Sequence, residues 1–172
     1  MKNLLRISLV SFIFLLFAKQ GLSQINAGVG IEYGSEVEEA GLDLRVGYLL
    51  NEQWNLVADF NFFFLDNDSR YIERNYWNEL NLNAHYYFLT QEKLVSPYAL
   101  GGLGLTFVGY EYDDHPAFND REYSNSEIGL NVGGGLDVNV HENFKPFFEV
   151  KYLLIDDYDQ GEIALGLKYF LR

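Results

Sequence analysis

A two-residue alternation of apolar and polar side chains runs through most of the chain after residue 24. It constrains the fold more than any other feature. Leu42, Leu44, Val46 and Tyr48 alternate with Asp43, Arg45 and Gly47. Leu80, Leu82, Ala84, Tyr86 and Phe88 alternate with Glu79, Asn81, Asn83, His85 and Tyr87. Ile128, Leu130, Val132, Leu136, Val138 and Val140 share one parity, and Glu127, Gly129, Asn131, Gly133, Asp137 and Asn139 the other. Successive side chains of a strand point to opposite faces, so each segment makes sheet with one apolar and one polar side. A soluble barrel turns the apolar side inward; a barrel in a bilayer turns it outward to lipid.

The pattern predicts about eight strands, over residues 25–34, 40–50, 54–66, 75–89, 95–111, 125–140, 144–155 and 161–171, each near the length a tilted strand needs to cross a bilayer. The links alternate in kind. Leu50–Gln53, Leu89–Lys93 and His141–Asn143 are short polar turns. Gly34–Glu39, Leu65–Arg74, Tyr112–Tyr123 and Asp156–Gln160 are more acidic and mostly longer. Short turns at one end and longer loops at the other are the arrangement of a membrane barrel with both termini on the short-turn side.

Parity assigns the faces. Outward fall Val29, Leu44, Phe62, Leu82, Leu130, Val150 and Leu165, with their same-parity neighbours. Inward fall Glu32, Asp43, Arg45, Asp59, Glu79, His85, Asp137, Glu149, Lys151 and Lys168. No charge lands in the middle of the outward set, where one at the bilayer midplane would cost about 2–4 kcal/mol. Tyr48, Trp54, Phe88 and Phe148 fall towards the short turns, and Tyr33, Phe64, Tyr76, Phe107 and Tyr152 towards the long loops. Rings with an apolar body and a polar edge favour the headgroup zone, so two girdles are expected.

Residues 1–23 read as a cleaved export signal: a basic opening with Lys2 and Arg6, an apolar run from Ile7 to Ala18, and small residues at Gly21 and Ser23 before a cut at Gln24. Residues 24–172 then form one barrel domain. Removing the signal takes three of 12 basic residues and none of 25 acidic ones, leaving nine against 25 and moving the formal charge from −13 to −16. Phosphate binding needs a basic footprint, so nucleic acid is not an expected partner. With no cysteine there is no disulfide framework and no thiolate metal site.

Pro97-Tyr98-Ala99-Leu100-Gly101-Gly102-Leu103-Gly104-Leu105 and the closing segment Gly161–Arg172 resemble strands of the small eight-stranded outer-membrane β-barrel family. That family includes the transmembrane domain of outer-membrane protein A and the X-type and W-type outer-membrane proteins. The resemblance covers the mature chain. It implies an all-β, single up-and-down antiparallel transmembrane barrel in the bacterial outer membrane, with both termini in the periplasm. It also implies outer-membrane lipid and lipopolysaccharide as surroundings, and the barrel-assembly machinery as a partner during biogenesis. Where the family favours a terminal aromatic, Leu171 holds that parity here and Arg172 follows. No peptidoglycan-binding module follows the last strand in the sequence, so an anchoring role of that kind is not expected.

Eight strands enclose a space that side chains can fill, so the inward set is expected to plug the barrel. Centring the hairpins near residues 52 and 158 predicts an interior ionic network with Arg45 opposite Asp59 and Glu149 opposite Lys168. No cofactor, metal or catalytic residue is implied. His85 is followed by Tyr86 and Tyr87 with no serine beside it, which favours a hydrogen-bonded interior histidine over a catalytic one. His115 with Asp113 and Asp114, and the Asp156–Glu162 loop, read as solvated acidic loops ahead of cation sites. The expected role is non-enzymatic: structural, or surface interaction through the loop bearing Tyr112, Asp113, Asp114, Phe118 and Asp120. The rivals are a narrow conduit for ions or small hydrophobic molecules, with Phe63, Leu65 and Trp77 lining a shallow pocket, then a lipid A-modifying barrel enzyme, then a soluble calycin-like carrier.

Overall fold

The computed structural model describes residues 24–65, 72–88, 94–112, 122–155 and 159–171. The strands are β1 (Ile25–Gly34), β2 (Glu39–Leu49), β3 (Trp54–Phe63), β4 (Ile72–Tyr87), β5 (Val95–Tyr112), β6 (Glu122–Val138), β7 (Phe144–Leu154) and β8 (Gln160–Phe170). Each pairs antiparallel with the next, and β8 returns to β1, so the sheet is a closed eight-stranded barrel in chain order. Closure leaves each strand's backbone groups a partner on both sides, the condition for crossing hydrocarbon with strands. No helix among the described residues is long and apolar enough to cross a membrane.

The alternation translates into an inverted barrel. Val29, Leu82, Leu130 and Leu165 are 49–60% exposed, whereas Arg45, Glu149 and Lys168 are 0–3% exposed. A soluble carrier would show the reverse. The outward residues form a continuous apolar belt, far beyond the few-hundred-Å² patch a soluble monomer carries. Aromatic rings gather on the outer surface near the short turns. Trp54 packs on Tyr86 at 5.0 Å, Tyr86 on Phe88 at 5.7 Å, and Phe144 on Tyr169 at 4.9 Å between centroids.

The strands are unequal at the long-loop end. β3 stops at Phe63, paired with Trp77, while β4 and β5 continue to Ile72↔Tyr112. The β6–β7 ladder stops at Leu130↔Leu154, while β6 stays paired with β5 as far as Glu122. Three strands therefore rise together above the rim. The eight residues 122–129 of β6 amount to roughly 27 Å of extended chain.

One register departs from expectation. Arg45 does lie opposite Asp59. Glu149, however, lies opposite Ala164, and Lys168 opposite Lys145. The turn between β7 and β8 is centred two residues earlier than 158, with Leu153↔Gln160 as its last pair. Two contacts favour this placement. The Asp159 carboxylate accepts the Ile155 N–H at 2.9 Å, closing the turn. Gln160 enters the strand fully buried and gives its amide to Glu79 at 2.7 Å. The facing lysines Lys145 and Lys168 are separated by their own partners: Lys145 Nζ sits 4.5 Å from the Phe170 ring centroid, and Lys168 bonds to Asp137.

Candidate functional site

Two polar groups built from inward positions occupy the lumen. In the first, the Arg45 guanidinium lies 3.9 Å from the Phe147 ring centroid and donates to Glu149 Oε2 at 3.1 Å and to the Asp43 carboxylate. Tyr98 donates its hydroxyl to the same Glu149 oxygen at 2.6 Å. His85 is interior as expected but not hydrogen-bonded: it stacks on Tyr98 with centroids 4.5 Å apart, and its Nε2 is 3.8 Å from Glu149. Lys168 donates to Asp137 Oδ1 at 2.7 Å, and Tyr87 to Asp137 Oδ2 at 2.7 Å. Gly28 makes room for this: a Cβ there would stand 2.8 Å from Arg45 Cγ.

The second group surrounds Lys151, whose Nζ lies 2.7 Å from Glu162, 3.5 Å from Asp59 and 3.7 Å from Glu32. Asp59 also accepts from Asn81 at 2.9 Å and Asn83 at 3.0 Å, and Asn131 bridges both amide oxygens at 2.9 Å. Glu79 Oε1 accepts from the Trp77 indole at 2.8 Å and from Gln160. Above these groups Phe63, Trp77 and Val108 pack into a buried apolar cluster, with Val37 and Leu65 against it. Phe63, Leu65 and Trp77 thus meet in one apolar cluster at the long-loop end of the barrel.

The structure brings all four residues of the anticipated ionic network into the lumen but pairs them differently. Arg45 reaches across the barrel to Glu149, 104 residues away, while Asp59 is held by Lys151 and two asparagines. Lys168 takes Asp137. The tyrosines Tyr87 and Tyr98 were not singled out from sequence as network members, although Tyr87 shares the inward parity of Glu79 through His85. Of the loop residues, Tyr112 ends β5 at the tip of the three-stranded extension. Asp113, Asp114, His115, Phe118 and Asp120 lie outside the described residues, as do residues 1–23 and 156–158. Asp159 serves the turn. Among the described residues, no three His, Cys, Asp or Glu side chains converge as a metal-holding group.

On the outer surface, where β7 ends beside β6, lies a pocket of about 580 Å³. It is lined by Leu103, Ile128, Leu130, Leu154, Ile155 and Asp159.

A family model described as outer membrane protein beta-barrel domain matches residues 14–170. The chain belongs to that family. Outer membrane protein beta-barrel domains are bacterial outer-membrane structures, and the apolar belt and outer aromatic rings of this one suit that setting. A comparison with curated proteins finds no match. Among solved structures, the chain is similar to the N-terminal β-barrel domain of Pseudomonas aeruginosa OprF, at 18% identity and TM-score 0.67, covering 88% of this chain and all of that one. Ail, the attachment invasion locus protein of Yersinia pestis, is 22% identical with TM-score 0.61, over 86% of this chain and 96% of that one. Neisserial surface protein A is 20% identical with TM-score 0.58, again over 86% and 96%. A second Ail structure holds the heparin analogue sucrose octasulfate. At these identities the likeness is one of fold.

Proposed function

We propose that this outer-membrane barrel is non-enzymatic and closed to bulk flow, and that it works by presenting the β4–β6 extension to the cell exterior for surface interaction. The observation carrying this reading is the lumen, which is crossed by the Arg45–Glu149 and Lys151–Glu162 ion pairs and capped by Phe63, Trp77 and Val108. Eight strands leave little space once such side chains are in place. His85, fully buried and stacked on Tyr98, suits packing better than turnover.

In this reading residues 1–23 direct export and are removed, and both termini lie in the periplasm. The assembly machinery inserts the chain, and lipopolysaccharide surrounds its outer half. The interaction surface is the tip carrying Tyr112, Asp113, Asp114, Phe118 and Asp120. With 25 acidic residues against nine basic ones once residues 1–23 are removed, the partner differs from the sulfated polyanion held by Ail and is cationic or neutral. Planar-bilayer recording tests the closed lumen: the reading expects no steady open state, and a large persistent conductance contradicts it. Deleting residues 113–120 tests the tip. Surface adhesion is expected to fall while the barrel still folds, and unchanged adhesion removes the assignment.

A second reading, passage of small apolar solutes, draws support from the 580 Å³ lateral pocket, whose Ile128 and Leu130 face lipid. Filling it with Leu130→Trp would slow uptake of an apolar solute in this case and leave uptake unchanged in the first.

A further inference from the structure

Three inward residues on adjacent strands stand directly opposite one another: Asn61 of β3 faces Glu79 of β4, which faces Thr106 of β5. They are 0–1% exposed. Asn61 Oδ1 and Nδ2, Glu79 Oε2 and Thr106 Oγ1 have no hydrogen-bond partner. Buried polar atoms are almost always bonded, so three unsatisfied neighbours in one row need an explanation. Glu79 sharpens the point. Its Oε1 accepts from Trp77 and Gln160, while its Oε2 is left without a partner.

The charge around the row points the same way. Glu32, Asp59 and Glu162 gather around Lys151, and Glu79 is fully buried in the same lumen. Burying a carboxylate in low-dielectric surroundings is costly, and Glu79 is held by two neutral donors, the Trp77 indole and the Gln160 amide. Directly opposed side chains in neighbouring strands have Cβ atoms about 5 Å apart, so one small ion beside Glu79 is within reach of both flanking oxygens.

We propose that Glu79 Oε2, Asn61 Oδ1 and Thr106 Oγ1 bind a hard, oxygen-coordinated cation beneath the Phe63–Trp77–Val108 cap. One carboxylate, one amide and one hydroxyl form an all-oxygen donor set, the chemistry of alkali and alkaline-earth ions rather than of metals selected by sulfur or imidazole. The ion balances the Glu79 carboxylate and gives the three unpartnered oxygens of the row a partner.

Trp77 reports on the site through its bond to Glu79. Trp54→Phe leaves it as the sole tryptophan of the two. The full barrel is refolded into detergent in choline chloride. It is also refolded with sodium, potassium, magnesium or calcium chloride at constant ionic strength, so that an ion can enter during folding. A saturable change in Trp77 emission with at least one of these ions, accompanied by a higher unfolding midpoint, is expected. The ion that saturates at the lowest concentration identifies the occupant. Glu79→Gln should weaken the response at least tenfold. Thr106→Val should weaken it several-fold and still fold, because that hydroxyl bonds to nothing else in the protein. A flat titration with all four ions overturns the proposal, and so does a response that survives Thr106→Val and Glu79→Gln unchanged.

Discussion

Arg45→Ala is the substitution that most directly loads the interior network. Arg45 is 3% exposed, contacts Asp43 and Glu149, and covers the face of Phe147. Removing one member of a buried ion pair costs about 3–5 kcal/mol, because the carboxylate left behind keeps its burial and loses its counter-charge. Losing a desolvated cation–π contact adds about 2 kcal/mol. Two effects offset part of this. Glu149 retains the Tyr98 hydroxyl, and water can enter the space beside Gly28. The expected net loss is about 4 kcal/mol, nearly three orders of magnitude in the unfolding equilibrium. Reversible urea unfolding in lipid vesicles or detergent measures it, with the exposed turn substitution Glu52→Ala as reference. The double-mutant cycle with Glu149→Gln isolates the cross-barrel pair, for which a coupling of at least about 2 kcal/mol is expected. Arg45→Ala and Glu52→Ala indistinguishable in stability, or a coupling near zero, would refute the reasoning.

Other consequences can be checked alongside. Asp137→Ala leaves the Lys168 ammonium buried without its 2.7 Å partner and frees the Tyr87 hydroxyl, so it should destabilise by about 3 kcal/mol or more in the same assay. Gly28→Ala places a methyl 2.8 Å from Arg45 Cγ, and the crowding should cost about 1–3 kcal/mol; a neutral result would mean that Arg45 does not lie against β1. The closed sheet should resist detergent without heating, so unheated and boiled samples should migrate differently on a denaturing gel, and identical migration would argue against a closed barrel.

The fold was legible from sequence because parity is a robust signal. Eight strands and the face of each are set by which residues share odd or even numbers, as with Leu80, Leu82 and Ala84 against Glu79, Asn81 and Asn83. Partners were less legible, since sliding a hairpin by a whole pleat preserves every face. The β7–β8 pair is such a case: with the turn two residues earlier, Glu149 and Lys168 both still point inward but no longer oppose each other. Asp159 capping Ile155 selects that register within the turn, and Gln160 reaching Glu79, 81 residues away, adds a contact that exists only in the closed barrel. The Arg45–Glu149 contact was hidden for the same reason, because closure alone decides which inward residues meet across the lumen.

The most direct measurement is a spin-label accessibility scan in reconstituted membranes, simplified by the lack of native cysteine. Single cysteines at Leu80, Leu82, Leu130 and Leu165 should be reached by oxygen dissolved in the bilayer and shielded from a water-soluble relaxant. Cysteines at Asn81 and Asn131, which are buried inward, should be shielded from both, giving a two-residue period along β4 and β6. Leucine positions that respond instead to the water-soluble agent, or a scan without that period, would contradict a barrel whose apolar face meets lipid.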